Sequence, residues 1–455
     1  MKSKSFLAVF FTSCILVNFS LADTAYVPDN FSTIQAAIDY VGVGDTVLVA
    51  PGHYVENINF NGKDIVLASH YILNLDTALI SQTIIDGDNR DAAVKFENFE
   101  TEAAQLIGFT IEKGTNFMDD PDINGVRYGG AIVCINASPV IRNNVIRNSQ
   151  NMVFNDAYYG GIYCENSSAK IIDNTLENIS SYFVSRGGSI VALHSNIQII
   201  GNRLLTNGGG YCWYCANVVA DSSDLYLERN VVLEGMYDVI PYTASLKLNN
   251  SSAFLLHNTL LGEVGLSGEN VLEMVNNIIW PSFLDSSIVI MQDAGDQSIV
   301  ASYNNVKGGV FGAGIINLDP MFVDAGGRDF RLQSNSPCID AGNPFSLDDP
   351  DGTIADLGAL YFDQSVTSIE TPYNYLGTEV FPNPASSVIH FQMTESQNLT
   401  ELLIMDRIGR VIVTKTFSGS EFAMDCSKLS PGLYFFELKS DGVRLDRGKF
   451  IICQP

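Results

Sequence analysis

An asparagine set between two short apolar runs returns at Asn144, Asn174, Asn202, Asn230, Asn258, Asn277 and Asn305, at intervals of 30, 28, 28, 28, 19 and 28 residues. The pattern is clearest in Val140-Ile141-Arg142-Asn143-Asn144-Val145-Ile146, Ile171-Ile172-Asp173-Asn174-Thr175-Leu176 and Ile199-Ile200-Gly201-Asn202-Arg203-Leu204. A unit this short cannot bury its own apolar face and must stack on copies of itself, which makes the chain a solenoid. The runs are three to five residues long and end at Asn, Gly or Ser, which suits strands and not helices. Asn tolerates left-handed backbone angles and bonds locally, so a recurring Asn marks a bend made once per turn, where its side chains can bond from coil to coil. Glycine pairs at Gly129-Gly130, Gly160-Gly161, Gly187-Gly188 and Gly208-Gly209 read as a second bend where a Cβ would clash. Coils of roughly 20 to 30 residues with three strands each describe a parallel β-helix. An antiparallel sandwich or propeller needs evenly spaced hairpin turns and would not keep one Asn between two strands through the repeats.

Charge and hydropathy narrow the partners. The 455 residues carry 25 basic and 51 acidic side chains, a formal charge of −26, which excludes a nucleic-acid binder because phosphate binding needs clustered Lys and Arg. Residues 379–455 hold 8 basic and 9 acidic groups, so almost all of the excess precedes them and the two regions differ in character. Residues 1–22 read as a signal peptide, with Lys2 and Lys4, an apolar run from Phe6 to Val17 and Ser20-Leu21-Ala22 before the cleavage point. Cys14 lies inside that run, which favours cleavage at Ala22 over lipidation. No later stretch reaches about 18 uninterrupted apolar residues, so no transmembrane segment is expected after signal removal. The amphipathic stretch Ile34 to Val41 reads as a short helix covering the first coil, since an uncapped sheet end invites polymerisation.

The residues flanking the repeat carry a resemblance. Phe31-Ser32-Thr33-Ile34-Gln35-Ala36-Ala37-Ile38, Gly44-Asp45-Thr46-Val47, Pro51-Gly52-His53-Tyr54 and Ile85-Asp86-Gly87-Asp88 resemble the start of bacterial right-handed parallel β-helix proteins of the pectin-lyase-like superfamily. Asp319-Pro320, Ser336-Pro337-Cys338-Ile339-Asp340-Ala341-Gly342 and Asp351-Gly352-Thr353 leading to Asp356-Leu357-Gly358-Ala359 resemble their closing segment. The resemblance implies a β-helix over residues 23–363 and is specific for fold, not for reaction. After a linker-like segment at 364–378 come Phe381-Pro382-Asn383-Pro384-Ala385, Ile404-Met405-Asp406-Arg407-Ile408-Gly409-Arg410, Leu429-Ser430-Pro431-Gly432-Leu433-Tyr434 and Lys449-Phe450-Ile451. Alternating apolar strands with Asp-x-x-Gly, Pro-Gly and Asp441-Gly442 turns make a small antiparallel β-sandwich over 379–455. It closely resembles the C-terminal sorting domain, type A, of the type IX secretion system, although Cys453-Gln454-Pro455 stands where a basic terminus is common. That resemblance implies a partner in the secretion machinery and a secreted or outer-surface location on a Gram-negative bacterium.

Candidate chemistry clusters in the middle coils. Asp120, Asp122 and Asn124 followed by Gly125 have the alternate spacing of a calcium loop, but Ala131 stands at the twelfth position, where a full loop of that type places Glu; calcium binding and an acidic solvated loop both fit. The Asp348-Asp349-Pro350-Asp351-Gly352 cluster with Asp356 reads as a terminal turn held by backbone hydrogen bonds. Lyases on this fold pair a base with a group that neutralises a uronate, and Lys113, Arg127, Arg142 and Arg186 are available near the acidic loop. Hydrolases use two carboxylates, which Asp119-Asp120 or Asp156 could supply. The Asn-Thr-Asp, Gly-His-Gly and Arg-Ile-Lys signatures of polygalacturonase-like enzymes are absent, and Gly52-His53 reads as structural. Tyr158, Tyr159, Tyr211, Trp213 and Tyr214 lie beside successive glycine bends, where they either stack on sugar rings or pack over the solenoid.

Seven cysteines remain after signal removal. Cys134 and Cys164 each precede their repeat Asn by ten residues and belong on adjacent coils, as a disulfide or as apolar stacking. Cys212-Trp213-Tyr214-Cys215 has redox spacing without a thioredoxin-like context and reads as structural. The chain is therefore expected to be an exported β-helix that engages extracellular polysaccharide, as a lyase, a hydrolase or a non-catalytic adhesin.

Overall fold

The computed structural model describes residues 23–115, 127–151, 157–181, 186–205, 214–233, 244–282, 284–291, 294–365, 378–406, 410–440 and 443–453; of Arg127, Tyr128, Tyr158, Tyr159, Arg186 and Tyr214 it describes the main chain. Each repeat makes one coil. Val140–Arg142 joins a first sheet, Val145–Arg147 a second and Ala157–Glu165 a third, after which Lys170–Ile172 returns to the first sheet one rung on. Repetition builds sheets of twelve, ten and nine strands, and every pairing within the solenoid coils is parallel. This is a parallel β-helix.

The apolar runs supply the interior. Ile141, Ile171, Ile199, Leu227, Leu255 and Met274 share one register position in the first sheet, and Ile111, Ile146, Leu176, Leu204 and Val232 share one in the second. All are fully buried, and each contributes about 1.5–3 kcal/mol. The alternate positions of the same short strands face outward, which is why runs of three residues suffice.

The corner between first and second sheets is fixed by the asparagines. A residue with left-handed φ comes first (Asn143, Asp173, Gly201, Arg229, His257, Asn276), then the buried Asn144, Asn174, Asn202, Asn230, Asn258 or Asn277. The Oδ1 of each accepts the main-chain N–H of its predecessor one coil earlier, as in Asn202 to Asn174 at 2.9 Å and Asn230 to Asn202 at 2.9 Å. At the first end Phe109 takes the position and donates its N–H to Asn144 at 3.0 Å. The expectation for Asn305 is corrected. Asn304 continues the ladder, accepting from Asn277 N at 2.8 Å and Nδ2 at 2.9 Å, whereas Asn305 opens the next strand opposite Ile278. The left-handed bend in that coil falls at Tyr303, so the ladder position is the residue after it, and two successive asparagines hide the one-residue shift.

Two further features depart from the sequence reading. Gly130, Gly160 and Gly188 lie inside strands of the third sheet, in register with one another, and make no bend. Glycine is needed there because the neighbouring backbone is close: a Cβ on Gly188 would lie 2.0 Å from Ala216 O and one on Gly130 would lie 2.3 Å from Gly160 O. Gly208-Gly209 fall outside the described residues. The corner from third to first sheet carries a second ladder, in which Ser195, Ser223 and Ser251 accept the N–H of Ser167, Ser195 and Ser223 at 3.0–3.1 Å, and Asn270 takes that of Ser251 at 3.0 Å.

The first coil is capped by helix Ile34–Tyr40, which buries Ile34, Ala37 and Ile38. The Glu56 carboxylate accepts the Ile34 and Gln35 N–H groups at 2.9 and 3.0 Å, and Lys63 Nζ donates to the Ile38, Asp39 and Val41 carbonyls at the other end. At the far end, residues 319–362 pack Leu332, Cys338 and Leu357 on Ile278. Antiparallel strands Thr378–Phe381, Val388–Met405, Val411–Asp425, Gly432–Ser440 and Val443–Ile452 then enclose Phe391, Ile404, Phe436 and Phe450. Among the described residues no helix is long and apolar enough to cross a membrane.

Candidate functional site

Through the ladder coils the corner between second and third sheets varies in length. Strands of the second sheet end at Glu112, Arg147, Glu177, Leu204 and Val232, and those of the third begin at Arg127, Ala157, Arg186, Tyr214 and Ala244. In the coils that carry the asparagine ladder the extra residues collect here, whereas before the ladder begins the short helices Tyr71–Asn74 and Ala78–Gln82 are inserted between the first and second sheets. Asp120, Asp122 and Asn124, with Asp119, Asp156, Tyr211, Cys212 and Trp213, lie outside the described residues.

The main-chain register sorts the rest. Tyr128 pairs with Tyr158, Tyr158 with Arg186, and Arg186 with Tyr214, so one position on four consecutive coils reads Tyr, Tyr, Arg, Tyr. Adjacent rungs are about 4.8 Å apart. Arg127 pairs instead with Ala157, and Tyr159 with Gly129 and Gly187. Tyr128 was absent from the residues singled out by sequence, although the signal existed: the first three asparagine intervals, applied to Tyr128, lead to Tyr158, Arg186 and Tyr214. Arg142 is on the first sheet, away from this corner.

Beside it, at the end of the second sheet, Asp86, Glu112 and Arg147 occupy one register position on three coils. Asp86 is almost fully buried, and its Oδ2 accepts from Lys113 Nζ at 2.5 Å and contacts His53 Nε2 at 2.9 Å, with the His53 side chain half exposed. Glu112 Oε2 accepts from Arg147 Nε at 3.0 Å. Burial acts to raise the Asp86 pKa, but the hydrogen bonds from Lys113, the Asp88 N–H and His53 outweigh it and hold the carboxyl below its usual range. The hydrogen bond to Asp86 pushes the Lys113 ammonium up. His53, read from sequence as structural, thus belongs to an accessible cluster. Its Nε2 and the Asp86 and Glu112 oxygens lie within 4.8 Å of one another, a donor set suited to a divalent ion, although Lys113 already supplies Asp86 with a cation.

The outer face of the third sheet continues from this corner. Val133, Tyr163, Val191 and Val219 share one register position, all buried, and the next coil puts Lys247 there. Glu263, 1% exposed, has no hydrogen bond to either carboxylate oxygen. Burial raises its pKa and lowers that of Lys247, each moderated by the other's charge. Cys134 and Cys164, paired in register on the inner side, are buried free thiols.

No curated protein matches the chain. The solved tailspike protein gp49 from Acinetobacter baumannii bacteriophage Fri1, a capsular polysaccharide depolymerase, is similar at 9% identity with a TM-score of 0.15, covering 96% of this chain and 79% of that one; a score so low carries no argument. Residues 379–453 match the secretion system C-terminal sorting domain. With its antiparallel strands, this region is the sorting domain of the type IX secretion system, and the chain is cargo delivered to the cell surface or extracellular space of a Gram-negative bacterium.

Proposed function

We propose that this exported β-helix engages an anionic extracellular polysaccharide at the corner between its second and third sheets. One observation carries the reading: Tyr128, Tyr158, Arg186 and Tyr214 stand at one register position on four successive coils. Three of those positions are Tyr, a residue type that stacks on sugar rings, and the fourth is Arg, a residue type that binds carboxylate bidentately, so the residues recurring along the solenoid axis suit an anionic glycan. Calcium, suited to the Asp120, Asp122 and Asn124 spacing, is the cation that would bridge the acidic loop to such a chain.

Cleavage is a second reading, favoured by the pairing of His53 with buried Asp86. A carboxylate bonded to one imidazole nitrogen orients the ring as a general base, and Lys113 and Arg147 are the cations beside it. The deciding experiment incubates the intact chain with a panel of acidic and neutral polysaccharides, with and without calcium, and follows binding, absorbance of unsaturated ends and new reducing ends. Binding of an acidic glycan that weakens at least tenfold in Arg186→Ala supports the corner. New ends that vanish in His53→Ala establish an enzyme, binding without new ends leaves a surface adhesin, and failure to bind any acidic glycan overturns the proposal.

A further inference from the structure

The sorting domain meets the solenoid at residues 343–348 of the closing segment. Arg447 of the domain donates to the Ser346 carbonyl and pairs with Asp348 at 2.5 Å. The two charged side chains are 7% and 9% exposed, so salt screens the pair little. Lys439 Nζ lies 5.9 Å from the centre of the Phe345 ring, within reach of a cation–π contact. Leu433 and Phe435 of the domain border a hollow of about 70 Å³ with Leu256 and His257 of the coils.

Asn276 holds that stretch of the closing segment. Its Oδ1 accepts the Asn343 N–H at 2.6 Å, and its Nδ2 donates to Ser346 Oγ at 2.9 Å. The same Nδ2 contacts His257 Nε2 on the previous coil at 3.0 Å. Its main chain is fixed as well, donating to the Tyr303 carbonyl and accepting from the Gly358 N–H, both at 2.8 Å. Asn276 is the left-handed residue just before the ladder Asn277, a position that Asp173, Gly201 and Arg229 fill on earlier coils. The bend therefore does not itself require asparagine. This side chain is fully buried, and its two polar atoms serve the closing segment and His257, so what it supplies is the attachment and not the turn. Ser346 joins the two halves: its hydroxyl faces Asn276 and its carbonyl faces Arg447.

We infer that Asn276 seats a dock for the sorting domain, so that the export signal is fixed against its cargo only once the coils bearing His257 and Asn276 have formed. On an incomplete solenoid the domain has no seat and moves independently, as linked domains do without a holding interface. The test labels the intact chain with phenylglyoxal, which reacts with arginine, and with a maleimide, and reads each site by peptide mass spectrometry. In the parent, Arg447 reacts at least tenfold more slowly than Arg410, whose side chain is 74% exposed. Asn276→Gly keeps the left-handed bend but removes the amide. It raises the Arg447 rate at least fivefold while buried Cys134 stays unlabelled, which places a released sorting domain beside a folded solenoid. Ser346→Ala removes only the Oγ acceptor, raises the rate at least twofold, and decides the matter if the glycine variant opens the coils. Asp348→Ala frees Arg447 directly and sets the upper limit. Parent Arg447 reacting as fast as Arg410, or an Arg447 rate unchanged in Ser346→Ala or in an Asn276→Gly chain with Cys134 protected, would overturn the inference.

Discussion

The side-chain oxygen of Asn174 accepts two hydrogen bonds from Asn144, from the main-chain N–H at 3.0 Å and from Nδ2 at 3.1 Å, while Asn174 Nδ2 donates to the Ile141 and Ile172 carbonyls at 2.9 and 3.0 Å. One buried amide therefore ties a coil to its neighbour through both backbone and side chain. Asn174→Ala leaves buried groups unpaired at about 1–3 kcal/mol each, so a loss of roughly 3–5 kcal/mol is expected in urea unfolding. Asn174→Asp keeps the acceptor but loses the donor and buries a charge, and is expected to be at least as damaging. A cost below about 1 kcal/mol for either would show that the ladder is dispensable.

Cys134 and Cys164 are in register on adjacent coils, buried and reduced. Burial, with the Cys164 contact next, raises the Cys134 thiol well above its ordinary value, so it holds little thiolate. Neither thiol is expected to react with a maleimide reagent in the folded protein, and both should react in denaturant. Rapid labelling of Cys134 under native conditions would contradict the packing.

The closing segment should respond to pH through Asp349 and Asp356. Burial pushes their carboxyls up to about 7 and about 6, against the N–H bonds each accepts and with Asp351 adding repulsion to both. A carboxyl whose folded pKa exceeds its unfolded value stabilises the fold fully below about pH 4, and that contribution is lost as pH rises through the folded value. His257, held down to about 3 by burial and then by Arg229, acts oppositely and weakens the fold as pH falls below its ordinary 6.5. Asp349→Asn isolates one carboxyl, because the amide oxygen can still accept the Asp356 N–H, bonded at 2.7 Å in the parent. Relative to the parent, the variant should gain on the order of 2 kcal/mol between about pH 5 and pH 8 in unfolding measurements. A gain on acidification instead would invert the assignment.

Arg447 of the sorting domain reaches Asp348 of the closing segment at 2.5 Å, and both side chains are buried; it also donates to the Ser346 carbonyl. Removing one partner strands a buried charge at a cost of about 3–5 kcal/mol, whereas replacing both by apolar groups costs far less. Asp348→Ala should therefore split the calorimetric transition into separate β-helix and sorting-domain steps. Asp348→Leu/Arg447→Met should keep them closer together. Unaltered melting in Asp348→Ala would show that the contact does not couple the two regions.

The sequence determined the solenoid by itself. A one-Asn repeat between three-residue apolar runs can bury its Ile, Leu and Val only by stacking in register, and Thr33 to Val41 has the period of the helix that closes the first coil, with Thr33 Oγ1 capping Ala36 N at 3.2 Å. The sorting domain was legible for a similar reason, since its turns and alternating strands are local signals. Tertiary structure decided what local signals leave degenerate. It chose Asn304 over Asn305, because only the position of the left-handed bend at Tyr303 tells which amide faces the ladder. It put glycines inside strands because backbone from the next coil approaches to 2.0 Å of a would-be Cβ. It assembled His53, Asp86, Glu112 and Arg147 from four strands. A solenoid makes neighbours of residues 19 to 39 positions apart, so which outward side chains share a surface follows from the length of every intervening corner, summed coil by coil, and not from any one segment.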